Sequence, residues 1–217
     1  MSEKGKILNI VQKIGWIILR PFFLFFAHFK YETEIDLNSL KRPIIIVANH
    51  ETFIDTLLIG DALPFSCPIF PIYFIAADEY IKTPGLGSLM KLFGAFPACK
   101  GQGMEKSLEM PKKVLASGCS VFFFPQGRRC ANFELEQGKP GAAILALQTN
   151  KIILPVAICG LSNFSWKGFF LRRHRVRIRI GKPFLLKDKL DEIYCPGNFE
   201  VGTQIIMEEI KKLLKDH

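Results

Sequence analysis

The sequence reads as an α/β fold with a largely parallel central sheet flanked by helices, preceded by an N-terminal amphipathic and apolar helical segment. Short apolar runs alternate with stretches of helical periodicity, the pattern of strands joined by helical crossovers. The runs carry few polar residues, as strands covered on both faces do. Three runs stop at polar residues, Asn49-His50, Cys99-Lys100 and Gln126 to Arg129, and in sheets of this class sites gather beyond the carboxyl ends of the strands.

Residues 1–29 come first. At about 100° per residue, Lys6, Asn9, Gln12, Lys13 and Arg20 share one side, while Leu8, Ile10, Val11, Ile14, Ile17, Ile18 and Leu19 cover the rest. Pro21 interrupts, and an apolar run from Phe22 to Phe29 follows. Gln12, Lys13, Arg20 and Pro21 suit a spanning helix poorly, and a small-residue cleavage site is missing. An amphipathic helix, a break at Pro21 and a second short helix fit an element lying in the membrane interface. Trp16 and the basic residues suit the headgroup level. A helix packed on the core is the alternative. The expected division is 1–29, a membrane-associating helical segment, and 30–217, the folded domain.

Glu32 to Leu40 is polar, a short strand and turn. Ile44 to Ala48 is a buried strand, and Phe53 to Ile59 a helix. After a loop with Pro64, Pro68 and Pro71, a second buried strand runs from Ile72 to Ala77. Pro84 to Phe93 is a short helix, and Ala95 to Gly101 a strand ending in a cation. Met104, Leu108, Val114 and Leu115 stripe a helix. Val121 to Phe124 is the next strand, Ala142 to Leu147 lies in a helix, and Ile152 to Ile158 is a strand. Asn163 to Leu171 is an aromatic loop. Arg175 to Ile180 alternates strictly, with Val176, Ile178 and Ile180 facing inward. Ile205, Ile206, Ile210, Leu213 and Leu214 stripe a closing helix.

The 217 residues suit one domain with a sizeable core. With 29 Lys and Arg against 20 Asp and Glu, the formal charge is +9, which fits nucleic acid, an anionic membrane or an acidic substrate. No helix-turn-helix, zinc or RNP-type signature supports nucleic acid. The six cysteines, Cys67, Cys99, Cys119, Cys130, Cys159 and Cys195, form no C-x-x-C, so no metal site is expected. They read as small core residues in a reducing compartment.

His50 and Asp55 carry the chemistry. Residues five apart in a helix sit about 140° apart, so the two meet only if His50 lies at the strand end and Asp55 in the first helical turn. There the carboxylate can hold one imidazole nitrogen and leave the other free as a base. The alternative is a capping pair, with Asn49 as the cap and Asp55 a solvated acid.

These strand ends, in this order, resemble the membrane glycerolipid acyltransferase family, whose type member acylates lysophosphatidate. The family's N-H-x4-D is complete as Asn49 to Asp55. Its second block matches Gly94 to Lys100, with Lys100 at the Arg position. Its F-P-E-G-T-R matches Phe124-Pro125-Gln126-Gly127-Arg128-Arg129, with Gln126 for Glu and Arg128 for Thr. Its fourth block matches Ile153-Leu154-Pro155-Val156, and Ile180 to Pro183 is also similar.

The resemblance implies transfer of a fatty acyl group from acyl carrier protein or coenzyme A to lysophosphatidate, giving phosphatidate. His50 would be the base and Asp55 its orienting acid. Asn49, Lys100, Gln126, Gly127, Arg128 and Arg129 would serve substrate binding, with Lys100 and Arg129 on the acceptor phosphate. Gln126 would hydrogen-bond the acceptor or hold its loop. Backbone N–H groups around Gly127 would stabilise the oxyanion. Beyond the thioester co-substrate no cofactor is implied. The implied partners are anionic membrane lipids, a lysophospholipid and an acyl thioester, not nucleic acid, at the cytoplasmic face of a bacterial inner membrane. The Gln126 and Arg128 changes leave open another lysolipid acceptor, or a lipid-binding protein with a degenerate site. Trp166, Phe169 and Phe170 beside Arg172, Arg173 and Arg175 suit either anionic lipid or an ordinary exposed strand with packed aromatics.

Overall fold

In the computed structural model the described residues are 2–130, 138–190 and 199–215; Cys195 lies outside them. Among the described residues one eight-stranded sheet forms the centre. Its strands are β1 (Lys30–Thr33), β2 (Ile45–Ala48), β3 (Ile72–Ala76), β4 (Ala95–Pro97), β5 (Ser120–Phe123), β6 (Ile152–Cys159), β7 (Arg177–Ile180) and β8 (Phe184–Leu185). The order is β1-β7-β6-β2-β5-β3-β4, with β8 beside the start of β6. From β6 to β4 the neighbours are parallel; β7 and β8 run antiparallel to β6. The largely parallel sheet is therefore as expected, and the five parallel strands end on one edge.

Helices cover both faces: α1 (Glu3–Phe26), α2 (Asp55–Ala62), α3 (Asp78–Lys82), α4 (Leu86–Leu92), α5 (Met104–Ala116), α6 (Gly141–Thr149), α7 (Trp166–Phe170) and α8 (Phe199–Lys215). Strand β2 explains the three layers. Successive side chains point to opposite faces: Ile44, Ile46 and Ala48 enter the layer holding α2, α7 and the end of α1, and Ile45 and Val47 enter the layer holding α5, α6 and α8. Both sets are fully buried, as the uninterrupted apolar run required. In β7, Val176, Ile178 and Ile180 do face inward. The α5 stripe is Leu108, Pro111, Val114 and Leu115; Met104 opens the helix and is exposed.

Two local expectations are corrected. Pro21 does not break the first helix, which continues to Phe26. Proline removes one intrahelical hydrogen bond, and side contacts along α1 hold the helix through that gap. The aromatic loop contains α7, capped by Ser165 Oγ, which accepts from the Gly168 N–H at 3.1 Å.

Three residues of α1, Gln12, Trp16 and Arg20, turn their polar atoms to the protein. Gln12 donates to the carbonyls of Ile72 at 2.6 Å and Phe93 at 2.9 Å, and accepts from the Ile72 N–H at 2.9 Å. Trp16 Nε1 donates to the Leu63 carbonyl at 2.8 Å, and Arg20 to the Asp61 carbonyl at 2.5 Å. Gly15 lets the Phe93 ring approach so closely that a Cβ would lie 2.5 Å from Cε1. The outward face is apolar: Ile7, Ile10, Ile14, Ile17, Ile18, Leu24 and Phe25 are all exposed.

Candidate active site

Strand β2 delivers Asn49 and His50 at the carboxyl edge of the sheet. Asn49 is buried and clips onto the next strand: its Nδ2 donates to the Ile158 carbonyl and its Oδ1 accepts from the Ile158 N–H, each at 2.8 Å. With both amide ends used, Asn49 positions the strand end.

His50 and Asp55 meet across the turn between β2 and α2, in the geometry their spacing required. His50 Nδ1 lies 2.9 Å from Asp55 Oδ2. The same oxygen accepts from the backbone N–H groups of Glu51 at 2.6 Å and Thr52 at 2.8 Å, and Oδ1 accepts from Thr52 Oγ1 at 2.5 Å. These donors compensate the burial of a fully enclosed carboxylate. A carboxylate only accepts, so the network assigns the imidazole proton to Nδ1 and leaves the Nε2 lone pair free. Phe124 covers one face of the imidazole, with centroids 3.8 Å apart and planes 9° apart. The side chain keeps 18% exposure.

The loop after β5 folds over His50. The Cys130 N–H donates to the His50 carbonyl at 2.8 Å, and the His50 N–H points at Gln126 Oε1 at 3.4 Å. Gln126 is 1% exposed, and its Nε2 has no partner among the described residues. The Gly127 N–H, expected near the oxyanion, instead donates to the Phe124 carbonyl at 2.9 Å. Gly127 has φ +64, in the region favouring glycine, and a Cβ there would lie 2.9 Å from Lys139 Cδ. Lys139 thus lies across the turn, and its N–H donates to the Pro125 carbonyl at 2.7 Å. Sequence reasoning missed it as a site cation, because Lys139-Pro140-Gly141 reads as a helix start.

The other cations spread outward. Arg129 Nη2 donates to the Tyr80 hydroxyl at 3.1 Å, and Arg128 is exposed. Lys100 is exposed beyond the edge strand β4. That strand is three steps from β2, about 14 Å at the usual strand spacing, and the helix that holds the Lys100 turn, α3, also carries Tyr80, the partner of Arg129. Asp78 holds the turn there, accepting from the Cys99 and Lys100 N–H groups at 3.1 Å each.

Glu51 was also missed, although a carboxylate directly after the histidine was a visible signal. Its Oε2 accepts from the Leu161 N–H at 2.8 Å. Burial pushes its carboxyl up to about 7, against the Leu161 hydrogen bond and with help from the charge of Asp55.

A small apolar cavity, open to solvent on one side, lies between α1, α2 and the sheet, with Leu57, Phe70, Phe74 and Phe122 in its wall. Thr56, beside Asp55, also lines it. The Phe122 ring meets Phe124, which covers His50, at 4.7 Å. Two rings, Phe122 and Phe124, thus stand between the cavity and the His50 imidazole. Asp61 is in the wall as well; burial raises its carboxyl to about 6, and the nearby Arg20 opposes this.

A family model described as Acyltransferase matches residues 28–159. The chain is 27% identical over 169 residues to human 1-acyl-sn-glycerol-3-phosphate acyltransferase beta, covering 76% of this chain and 58% of that protein. It is 29% identical over 155 residues to a chloroplastic Arabidopsis thaliana protein of the same activity name, covering 68% of this chain and 41% of that one. These alignments thus span roughly half the length of the first relatives they match. Against the 1-acyl-sn-glycerol-3-phosphate acyltransferase of Bacillus subtilis the identity is 27% over 172 residues, covering 78% and 80% of the two chains. The crystal structure of the Thermotoga maritima 1-acyl-sn-glycerophosphate acyltransferase superimposes with a TM-score of 0.65 at 22% identity, covering 99% of this chain and 82% of that one; it shares the fold.

Proposed function

The chain belongs to the acyltransferase family, and on that premise we propose that it moves a fatty acyl group from an acyl thioester to the free hydroxyl of lysophosphatidate, giving phosphatidate. The observation that carries this reading is the His50–Asp55 pair at the carboxyl edge of the sheet. The relatives' names supply the acceptor.

In this mechanism His50 Nε2 takes the proton of the lysolipid hydroxyl as its oxygen attacks the thioester carbonyl carbon. Asp55 holds the imidazolium that forms. The tetrahedral intermediate collapses, the C–S bond breaks, and the thiolate leaves with the proton from Nε2. A thiol has a pKa of about 8.5, so its thiolate leaves readily, and no Ser or Cys nucleophile or further cofactor is required. Gln126 Nε2, buried and without a partner among the described residues, is our choice of donor to the acceptor or the oxyanion. Arg128, Arg129 and Lys139, around the Gly127 turn, form a cationic rim for the acceptor phosphate. The apolar wall of the cavity suits the start of an acyl chain.

The proposed setting is a membrane surface, with α1 lying in the interface. Among the described residues α1 is the one helix long and apolar enough to cross a bilayer. Gln12, Trp16 and Arg20 fasten its side to the body of the protein, which supports a helix lying in the interface over one that spans. Free cysteines suit a reducing compartment, and the cytoplasmic face of a bacterial inner membrane is the compartment we propose.

The experiment is acyl transfer by membranes carrying the wild type or His50→Ala, with lysophosphatidate, other lysophospholipids and glycerol 3-phosphate offered separately. Phosphatidate made from lysophosphatidate and lost in the variant is the expected result. Full activity in a stable His50→Ala protein would overturn the mechanism. The second reading, another lysolipid acceptor, is favoured by one observation, the amide of Gln126 where the family has a carboxylate.

A further inference from the structure

Helix α7 is half anchor and half exposed surface. Phe169 is fully buried, and its ring stacks on Phe26 at 5.9 Å. Trp166, Phe170 and Leu171 are 50%, 52% and 51% exposed. The two exposed rings are held: they stack on each other at 5.9 Å and 22°. Phe170 also meets Phe26, near the end of α1, at 5.4 Å, and Trp166 meets Phe53 at 5.5 Å. Phe53, itself exposed, sits inside the His50–Asp55 motif. The platform therefore bridges the C-terminal end of α1 and the catalytic turn.

Its charge is one-sided. Between Leu161 and Val176 the chain holds Lys167, Arg172, Arg173 and Arg175, all exposed, and no Asp or Glu. Arg172 lies over the exposed Phe25 ring at 4.7 Å, so the cations join the outward face of α1. Aromatic rings, Trp among them, edged by cations without acids are complementary to an anionic lipid interface.

We propose that α7 and Arg172 to Arg175 form a second lipid-docking element, which seats on an anionic bilayer and, through Phe53, holds the mouth of the His50–Asp55 site against it. The proposal rests on the membrane reading above and deepens it. A single helix in the interface leaves the protein free to roll about that helix's axis, and a second contact to one side of α1 fixes the roll.

The test uses the full chain and its two tryptophans, Trp16 and Trp166. Trp16→Phe leaves Trp166 as the sole emitter. Vesicles of brominated phosphatidylcholine, with or without phosphatidylglycerol, are the probe. The expected result is quenching of Trp166 emission by the vesicles containing phosphatidylglycerol. Arg172→Ser with Arg173→Ser weakens partitioning about 30-fold, at about fivefold per cation. Protein that sediments with vesicles while Trp166 stays unquenched overturns the proposal, as does binding indifferent to phosphatidylglycerol or no binding.

A second arm keeps Trp16. Trp166→Ser with Phe170→Ser changes two half-exposed side chains, its folding checked by Tm, and is expected to lose transfer on anionic vesicles while keeping it on lysophosphatidate in detergent micelles. Equal activity of variant and wild type on vesicles counts against the proposal. Wild type inactive in both settings sinks the proposed function instead, and the quenching result still decides the docking.

Discussion

Asp55 holds His50 at 2.9 Å while the same oxygen accepts the N–H groups of Glu51 and Thr52. The acid that orients the base is thus itself oriented by the residues between them. His50→Ala is expected to lower kcat about 10²–10⁴-fold, the usual contribution of a positioned base, with a smaller loss of Tm than Asp55→Ala because the side chain keeps some exposure. Asp55→Ala is expected to lower both, since it strands two backbone N–H groups and the Thr52 hydroxyl. Thr52→Val separates the effects: it removes only the donor to Oδ1. Its stability cost of about 1–3 kcal/mol for an unsatisfied buried group is read from denaturant unfolding, and its kcat falls less than that of Asp55→Ala.

Glu51 makes stability depend on pH in a defined direction. Its folded carboxyl titrates near 7, above the ordinary 4.5, because of burial and, to a lesser degree, the Asp55 charge. Between those values the folded protein holds a proton that the unfolded chain has released. The contribution is therefore fully present below 4.5 and is lost as pH rises through 7. Glu51→Gln keeps an acceptor for the Leu161 N–H and cannot ionise. Its Tm should fall less than that of the wild type between pH 6 and pH 8; parallel Tm curves would refute the assignment. Asp61 adds a similar slope at lower pH, near 6, and is unchanged in the variant.

Gln126 gives a test of the replaced family position. Gln126→Ala removes both the acceptor for the His50 N–H and the free Nε2, and kcat/KM is expected to fall at least about tenfold, the scale of one lost buried hydrogen bond. Gln126→Glu keeps the acceptor and loses the donor. If Nε2 serves the substrate, the Glu variant lies between the wild type and Ala. Equal activity of Glu and wild type would show that the amide only holds the loop.

The strands were legible because apolar runs ending in Asn49-His50 or Gln126-Gly127 carry their own punctuation, and a five-residue spacing lets His50 and Asp55 meet in one geometry, though it also allowed a capping pair. What stayed hidden depends on partners far along the chain. Gln12 reads as one polar residue in an interrupted helix; its partners Ile72 and Phe93 lie 60 and 81 residues on. Past Pro21 the helix packs Phe22, Phe23 and Phe26 on Phe169, a partner more than 140 residues on. Short α7 is built around Phe169, whose burial against Phe23 and Phe26 no local pattern announces. Lys139 reaches the Gly127 turn from the start of α6, a proximity created by the chain's return.

Gly127 should resist substitution for backbone reasons more than for space. Its φ of +64 costs a non-glycine residue about 1–2 kcal/mol, and the atoms a Cβ would meet belong to the far end of Lys139, which can move. Gly127→Ala is therefore expected to lower Tm by several degrees and to displace the Lys139 ammonium from the turn. A raised KM for lysophosphatidate, with kcat nearly kept, is the kinetic sign of that displacement. If Lys139→Ala leaves the KM unchanged, that ammonium does not hold the acceptor phosphate.

The fastening of α1 should be separable from its affinity for lipid. Gln12→Leu removes three hydrogen bonds and strands the buried N–H and carbonyl of Ile72, while the outward isoleucines are untouched. Hydrogen exchange at the start of β3 should quicken, and Tm should fall by an amount matching about 1–3 kcal/mol. Vesicle binding should persist, because the apolar face is intact. Ile14→Asp with Ile17→Asp does the reverse: both side chains are exposed in the folded protein, so Tm holds while binding collapses. If the two isoleucine changes lower Tm as much as Gln12→Leu does, that face is packed against protein and not lipid, and α1 is an ordinary core helix.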